Sequence, residues 1–554
     1  MRGSPAGPLS LCLCVGTHWQ VVDVSEPCDF SWQLQADRRA ESQTAYQLQA
    51  ATHTAYNAAS ILCDTGTVHS NATLCQRQCD VSKAQPGAAI FWRVRAAGVA
   101  GELSTWAEGP TLLASTMFSG EFVAAPTTVT ASTNAPVRLR ASVPLPAGTV
   151  RSAMAFVASP GYYQLWSGGQ RVNADAEYGP WAEWNSRVYY DCWNVTDLLL
   201  NASARGDEAI VFGLRIGPGT YGHGALTGHW SGPNFARGYN ASALPLLFEL
   251  HLDVVSSVGS GQGSASSQRL VFASGASVEG VGATPLAFFA HADPILNSDW
   301  YQGEVVNNMK SADLDKWDTI SYSTLAPDWS PAVPYAGLAG RQLTPTPIDP
   351  IVRLPTLKPV RFFDLGGGKY SWDLGQNFGG YAELDVPAKG FANTTLTVRV
   401  GEETDGSGGV SNGRSWWSNM GTLVWTLRGE EEIETLRQTF MFMGFQYLAV
   451  ENWPAGMPKP TVDSLRGIPT STLSSQHRAG KLHFGGVAPS ADIASSFMHP
   501  QRTAGKAVTL SPNSSSLNCT ILAGVFHAII WGQQSNFQAI PGDCPNRGAL
   551  RPRT

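Results

Sequence analysis

The chain has 554 residues, of which 43% are hydrophobic and only 14% are charged. At roughly 150 residues per domain, this length predicts about three or four domains that can each bury a core. The formal net charge of -6 and the lack of a basic tract argue against a nucleic-acid partner. No stretch reaches the roughly 18 apolar residues that a membrane span requires.

Residues 1–27 form an N-terminal segment in which Arg2 precedes a short apolar run, from Leu9 to Val15. The run is at the short end for a signal-peptide core. Seven N-x-Ser/Thr sequons favour a glycosylated, exported protein, so we expect a secreted or extracellular location. The sequons lie at Asn71, Asn194, Asn201, Asn240, Asn393, Asn513 and Asn518.

Residues 28–115 read as a small β-sandwich. Phe30, Trp32 and Leu34 alternate with polar residues, and this period of two is typical of half-buried strands. The stretch FWRVRAAG, residues 91–98, resembles a late strand of fibronectin type III domains. The chain has nine cysteines, so at least one thiol is unpaired within it; disulfides near the N-terminus and buried free thiols both remain open.

Residues 117–340 read as a larger β-rich unit, and the five prolines of residues 341–360 predict a stiff linker after it. Residues 361–466 alternate again, as in YAELDV, and predict another sandwich. Residues 468–512 have no clear period and predict an irregular linker.

Residues 517–530 carry apolar side chains at helical spacing, and no charged residue lies between Lys506 and Asp543. A helix without a charged face is normally buried on most sides. Because few residues follow it, we expect this helix to lack neighbours and to promote aggregation. Deleting residues 468–554 is therefore predicted to improve the soluble yield.

Four stretches, in order, resemble the α-L-rhamnosidase family of glycoside hydrolases. They are GYYQLWSGGQRV at 161–172, SDWYQGEV at 298–305, YSWDLGQNFGGYAEL at 370–384 and FHAIIWGQQSNFQAIPGDCPNR at 526–547. The resemblance implies a jelly roll of galactose-binding type over 117–340 and a concanavalin-like sandwich over 361–466. It also implies that 513–554 open an (α/α)6 barrel. The expected fold class is thus mostly β, with tandem sandwich and jelly-roll domains before a truncated helical barrel.

The same resemblance implies inverting hydrolysis of terminal α-L-rhamnose, with a rhamnose-containing glycoside or polysaccharide as partner. Inverting glycosidases need a carboxyl acid to protonate the leaving oxygen and a carboxylate base to activate water. Asp543 and Arg547 match the family's sugar-binding pair, but Gly548 stands at the general-acid position. The base would lie beyond Thr554. We therefore expect no complete catalytic set, and an inactive, truncated chain.

Exposed aromatic side chains are candidates for stacking on sugar rings, although packing between domains is the alternative. The candidates are Trp300, Tyr301, Trp416 and Trp417. Neighbours on a strand point to opposite faces, so Tyr162 and Tyr163 cannot both face one core.

Three further polar residues are interpreted as structural rather than catalytic. Asp373 and Gln376 are expected to satisfy a turn, and Glu304 is expected to be a surface carboxylate rather than a sugar contact. The 11 histidines lack metal-ligand spacing, so neither metal nor cofactor is predicted, although calcium on a loop carboxylate remains open. A non-catalytic carbohydrate-binding protein and a multi-sandwich adhesion protein are the alternative functions.

Overall fold

The computed structural model of the protein consists mostly of β-strands. It describes residues 18–24, 28–32, 34, 42–99, 101–115, 118–130, 134–174, 179, 182–219, 221–222, 243–256, 266–275, 283–299, 303–322, 328–410, 422–473, 525, 528–538 and 540–541. The predicted mostly-β class with tandem sandwiches is confirmed. The predicted barrel start stays a prediction, since most of 513–554 lies outside these ranges.

The N-terminal sandwich covers residues 18–115. Ile90, Trp92 and Val94 alternate along one strand and are buried against Phe30 and Tyr46, because period two places them on one face. A disulfide joins Cys63 to Cys79, and Cys75 is a buried free thiol. The strands are His18–Val22, Cys28–Ser31, Ala45–Ala51, Ile61–Asp64, Leu74–Cys79, Ala89–Ala97, Ala107–Glu108 and Leu112–Ala114.

The central sandwich packs two sheets around the largest apolar core of the described residues. Its helix Thr196–Arg205 packs Leu199 and Ala202 inward and ends at Gly206, whose φ of 78° suits a left-handed cap. A 3-10 turn spans Ala336–Leu338. The strands are Val123–Ala124, Val137–Pro144, Thr149–Ala158, Tyr162–Ser167, Gln170–Arg171, Arg187–Asn194, Ala209–Gly217, Leu247–Ser256, Ser266–Ser274, Ala283–Leu286, Phe289–Ala292, Ser330–Pro331, Val333–Pro334 and Gln342–Pro345.

The C-terminal sandwich is organised by the long strand Lys369–Val386, which pairs with four other strands. Its other strands are Ile295–Asp299, Gly303–Asn307, Val352–Arg353, Arg361–Gly366, Thr395–Gly401, Thr422–Thr426, Glu434–Arg437, Met443–Glu451 and Leu465–Ser471. Its 3-10 turns are Asn308–Leu314 and Val462–Ser464, and a small hairpin joins Phe537–Gln538 to Ile540–Pro541.

The sandwiches share strands across the boundaries that the sequence predicts. His18–Val22 pairs with Leu112–Ala114 of its own sandwich and also with Arg187–Asn194 of the central one. Gly303–Asn307, from within the predicted jelly-roll segment, pairs in parallel with Thr422–Thr426 of the C-terminal sandwich. Pairing therefore joins the N-terminal and central sandwiches, and it places Gly303–Asn307 in the sheet of the C-terminal sandwich.

The proline-rich segment 341–360 contains two paired strands. Gln342–Pro345 lies in parallel beside Arg187–Asn194, and Val352–Arg353 pairs with Leu465–Ser471. The strand Leu465–Ser471 itself runs past the predicted sandwich end at residue 466 and into the segment expected to be irregular. Prolines at strand ends and sheet edges leave such pairing intact.

Candidate functional site

Two strands of the central sandwich and the loop after a third bring opposite charges together at its boundary with the C-terminal sandwich. Arg138 and Arg215 are register partners on adjacent strands. Asp293 Oδ2 accepts hydrogen bonds from Arg138 Nε at 2.9 Å and Arg215 Nε at 2.8 Å, and its Oδ1 accepts from Arg215 Nη2 at 2.9 Å. Burial opposes ionisation of Asp293, but the two guanidinium groups outweigh it and hold the pKa of this carboxyl below its usual range.

Glu304 lies in the adjoining sheet, and its side chain is completely buried. Its carboxylate accepts hydrogen bonds from the backbone N–H groups of Thr439 at 3.0 Å and Phe440 at 3.2 Å, and from Ser298 Oγ at 3.2 Å. Burial raises the pKa of Glu304 to about 7, against the opposing effect of these donors and of Arg215.

The expectation that Glu304 is a surface carboxylate is therefore wrong. The preceding Gly303 has φ of +90°, and a Cβ there would lie 1.7 Å from the carbonyl oxygen of Thr422. Only glycine allows this close approach, which draws the strand Gly303–Asn307 into the sheet and Glu304 out of solvent. A general acid must reach its substrate, so we interpret Glu304 as a structural group.

Aromatic packing closes the same boundary. Tyr162 belongs to the core of the C-terminal sandwich, whereas its neighbour Tyr163 belongs to the core of the central one. Phe440 sits so close to Gly217 that a Cβ on that glycine would lie 2.2 Å from the ring. The adjacent tyrosines Tyr162 and Tyr163 thus pack between domains, which is the alternative to sugar stacking that the sequence left open.

The described part of the fourth family-like stretch, residues 528–538, is docked on the C-terminal sandwich; we call it the lead-in segment. Residues 528–536 are helical, and Trp531 packs against the sandwich core. The carbonyl of Phe537 accepts the backbone N–H of Thr472 at 2.9 Å, and Gln538 Nε2 donates to the carbonyl of Thr470 at 2.7 Å. Strand Leu465–Ser471 and the residue after it therefore hold this segment from its C-terminal end.

Glycine also makes room for the lead-in segment. A Cβ on Gly379 would lie 2.6 Å from the carbonyl oxygen of Ser535. Ser535 and Gln534 are buried, and Gln534 Nε2 donates to the carbonyl of Leu473 at 3.2 Å. Gly379 of the sequence FGG thus gives the lead-in segment direct contact with the sheet.

Asp373 of the same motif accepts hydrogen bonds from a backbone N–H group and a side-chain amide. Its Oδ1 accepts the backbone N–H of Gly375 at 2.7 Å and Gln446 Nε2 at 2.9 Å, where the strand register shifts between Asp373 and Phe378. Gln376 donates to the carbonyl of its neighbour Asn377. These are the turn-satisfying contacts expected from the sequence.

The predicted sugar-binding and stacking residues lie outside the described residues, so their roles stay predictions. They are Trp300, Tyr301, Trp416, Trp417, Asp543, Arg547 and Gly548. Asn240, Asn513 and Asn518 fall in the same category. Of the other sequons, Asn71, Asn201 and Asn393 are exposed and Asn194 is half-buried.

Sequence reasoning missed the Arg138–Asp293–Arg215 cluster. The signal was available in the apolar strand VRLRASVP, where two arginines interrupt residues that are otherwise mostly hydrophobic or small. Buried arginines require carboxylate partners, but the partner lies 155 residues away from Arg138.

Two negative findings concern the described residues alone. No group of three or more His, Cys, Asp or Glu side chains is arranged there to hold a metal ion. No helix among them is long and apolar enough to cross a bilayer.

Two domain families match the chain. A family model described as the Rha78A-like, N-terminal immunoglobulin domain matches residues 17–115. Another, described as the bacterial alpha-L-rhamnosidase concanavalin-like domain, matches residues 364–468. These ranges coincide closely with the N-terminal and C-terminal sandwiches.

A curated alpha-L-rhamnosidase from Streptomyces avermitilis is 26% identical over 415 residues, which are 74% of this chain and 32% of that protein. The chain thus spans about a third of the length of this relative.

Solved structures share the fold over 95% of this chain. The alpha-L-rhamnosidase of Dictyoglumus thermophilum matches with a TM-score of 0.64 at 19% identity, over 52% of its own chain. That of Aspergillus terreus matches with 0.65 at 20% identity, also over 52%. That of Streptomyces avermitilis, complexed with L-rhamnose, matches with 0.65 at 17% identity, over 60%. The two matched domains and the curated relative together indicate that this chain is similar to α-L-rhamnosidases, and the solved structures show that it shares their fold.

Proposed function

We propose that this polypeptide is a member of the α-L-rhamnosidase family that recognises rhamnosides. In this proposal, its sandwiches form a scaffold for the sugar-binding loop. The observation that carries the proposal is the docking of residues 528–538 on the C-terminal sandwich through Thr470, Thr472 and Gly379. The family-like loop with Asp543 and Arg547 follows directly in the sequence. The contacts of Gln538 hold the chain on the sandwich five residues before Asp543 in the sequence.

The ligand class is a glycoside or polysaccharide with terminal α-L-rhamnose. In the family, the residues matching Asp543 and Arg547 bind the sugar, and a carboxylate and a guanidinium suit this task because both form paired hydrogen bonds. The family's next step is proton transfer from a carboxyl acid to the leaving oxygen, with attack by water from the opposite face. Gly548 occupies the position of that acid and has no proton to give. We therefore propose that this polypeptide binds rhamnosides without hydrolysing them.

The test is turnover of an aryl α-L-rhamnoside by the purified 554-residue protein. No release of the phenol above the blank is expected. Saturation-transfer NMR should detect L-rhamnose binding that Asp543→Ala removes and that Asp197→Ala, at an exposed helix position, retains. Hydrolysis that Asp543→Ala abolishes would overturn the proposed inactivity, and absence of rhamnose binding would overturn the proposed recognition.

We further propose that the protein is exported and glycosylated. Support comes from the Cys63–Cys79 disulfide and from the exposed positions of Asn71, Asn201 and Asn393. Disulfides persist mainly in oxidising compartments, and sequons are modified only where they are accessible. Expression in secreting eukaryotic cells should give a product whose gel mobility shifts on deglycosylation. A reduced product without such a shift would contradict export.

A further inference from the structure

The solvent face of the N-terminal sandwich carries an ordered row of planar polar side chains. Across four neighbouring strands, Asp64 pairs with Gln49, Gln49 with Arg93 and Arg93 with Glu108. Adjacent strands lie about 4.8 Å apart, so the row extends over about 15 Å. Gln47 and Arg95 form a second pair beside it. Together these six side chains form a group that we call the outer ladder: Gln47, Gln49, Asp64, Arg93, Arg95 and Glu108.

Hydrogen bonds fix the planes of the outer ladder. Gln49 Nε2 donates to Asp64 Oδ2 at 2.6 Å, and its Oε1 accepts from Arg93 Nε at 2.9 Å and Nη2 at 2.7 Å. Gln47 repeats the pattern between Asp64 Oδ1, at 2.7 Å, and Arg95 Nε, at 3.0 Å. Asp64 thus anchors two glutamines, and each glutamine anchors one arginine. The side chains are held before any ligand arrives, which reduces the entropy cost of binding.

Two aromatic rings flank the arginines. The Cζ of Arg93 lies 3.9 Å from the ring centroid of Tyr56 and 4.4 Å from that of Trp106, and the Cζ of Arg95 lies 4.5 Å from Trp106. Both rings are only partly buried. Cation–π contacts stabilise this stack, and both rings keep part of their surface accessible to solvent.

The outer ladder retains hydrogen-bonding capacity toward solvent. A guanidinium has five N–H groups, and the bonds to Gln49 use two of those on Arg93. The carboxylates of Asp64 and Glu108 are exposed acceptors. The formal charges of Arg93 and Arg95 are balanced by those of Asp64 and Glu108. Donors and acceptors therefore alternate on a face without excess charge.

This combination fits a neutral, polyhydroxylated ligand. A sugar hydroxyl both donates and accepts, so neighbouring hydroxyls pair with planar carboxylate, amide and guanidinium groups, while the C–H face of a sugar packs on an aromatic ring. A polyanion would require uncompensated positive charge, and an amphipathic helix would require a hydrophobic groove. We propose that the outer ladder, with Tyr56 and Trp106, binds a neutral polysaccharide across the strands. This site is separate from the proposed rhamnoside loop and requires no hydrolysis.

The test is affinity gel electrophoresis of the full chain in gels containing galactomannan, xyloglucan or arabinogalactan, with polygalacturonate as the anionic probe. At least one neutral polysaccharide should retard the protein. Trp106→Ala and Arg93→Met should each weaken the affinity about tenfold or more, as expected for an aromatic or arginine contact at the centre of a site. Arg205→Met, on the exposed helix of the central sandwich, is the control and should bind as the parent chain does. Free L-rhamnose should not compete, which separates this site from the proposed rhamnoside loop.

Three outcomes would overturn the proposal: no retardation by any neutral polysaccharide, retardation unchanged in both variants, or retardation by polygalacturonate alone that high salt abolishes. Circular dichroism and thermal melting check the fold of each variant. If Trp106→Ala does not fold, Gln49→Leu keeps a similar volume and removes the bonds to Asp64 and Arg93. Unchanged binding by that folded variant would count equally against the proposal.

Discussion

At the scale of single residues, Asp293 and Glu304 show how partners decide the charge state of a buried carboxyl. Burial opposes ionisation of both groups. Two guanidinium groups contact Asp293 directly and keep it ionised. Glu304 has mainly neutral N–H and O–H donors, and they do not offset its burial, so its pKa is raised to about 7.

Glu304 predicts how stability varies with pH. Its pKa rises from the usual 4.5 to about 7 on folding, so the folded state holds the proton more tightly than the unfolded state between these values. The free energy of unfolding should therefore fall as pH rises from about 4.5 to 7, by on the order of 3 kcal/mol from this group. Urea melts across that range should show the fall in the parent chain and a much smaller one in Glu304→Gln.

Glu431→Gln is the matched control, because Glu431 is exposed. It should retain the pH dependence of the parent chain. Equal slopes in the parent chain and in Glu304→Gln would show that Glu304 is not the responsible group.

At the scale of elements, glycines determine where strands and segments meet. Gly303 lets its strand lie between Ile295–Asp299 and Thr422–Thr426 in the C-terminal sheet, and Gly379 lets the lead-in segment contact that sheet. Both glycines stand in family-like stretches of the sequence. Their role becomes visible only with the neighbouring carbonyl oxygens of Thr422 and Ser535 in place.

Two glycine substitutions should have opposite effects on the lead-in segment. In Gly379→Ala the new Cβ meets the Ser535 carbonyl, so amide hydrogen exchange in residues 528–538 should accelerate. In Gly532→Ala the new Cβ meets open space in a helical turn, so exchange should slow, since alanine stabilises a helix by about 0.5–1 kcal/mol relative to glycine. Slower or unchanged exchange in Gly379→Ala would contradict the docking of this segment.

The sequence predicts strands well where one face is buried and the other is wet. Ala89–Ala97 alternates in burial as its residues alternate in polarity. Leu465–Ser471 is covered on both sides at most positions, so its sequence LRGIPTS has no alternation to recognise, and the predicted sandwich end fell short of it. Pairings such as that of Gly303–Asn307 with Thr422–Thr426 join distant parts of the chain, which local patterns do not encode.

At the scale of the whole molecule, the position of strand Leu465–Ser471 changes the expected effect of C-terminal deletion. A chain that ends at Gly467 keeps only three of the seven residues of strand Leu465–Ser471, which pairs with Lys369–Val386. A chain that ends at Leu473 keeps the strand and removes the exposed apolar side chains of Val525 and Ile529. We expect 1–473 to exceed the full chain in soluble yield, and 1–467 to aggregate. Equal yields and melting temperatures for the two fragments would contradict this expectation.

The crossing of the chain between sandwiches also affects the order in which the protein can fold during synthesis. Gly303–Asn307 leaves the ribosome long before Thr422–Thr426, with which it pairs. In the same way, Arg187–Asn194 is synthesised long before its partner Gln342–Pro345. Domains that are continuous in sequence can fold one after another as they emerge. Here the last strand of the central sandwich is synthesised after two strands of the C-terminal sandwich. A nascent chain therefore carries unpaired strand edges during much of translation. Chaperones are expected to bind mainly in that interval.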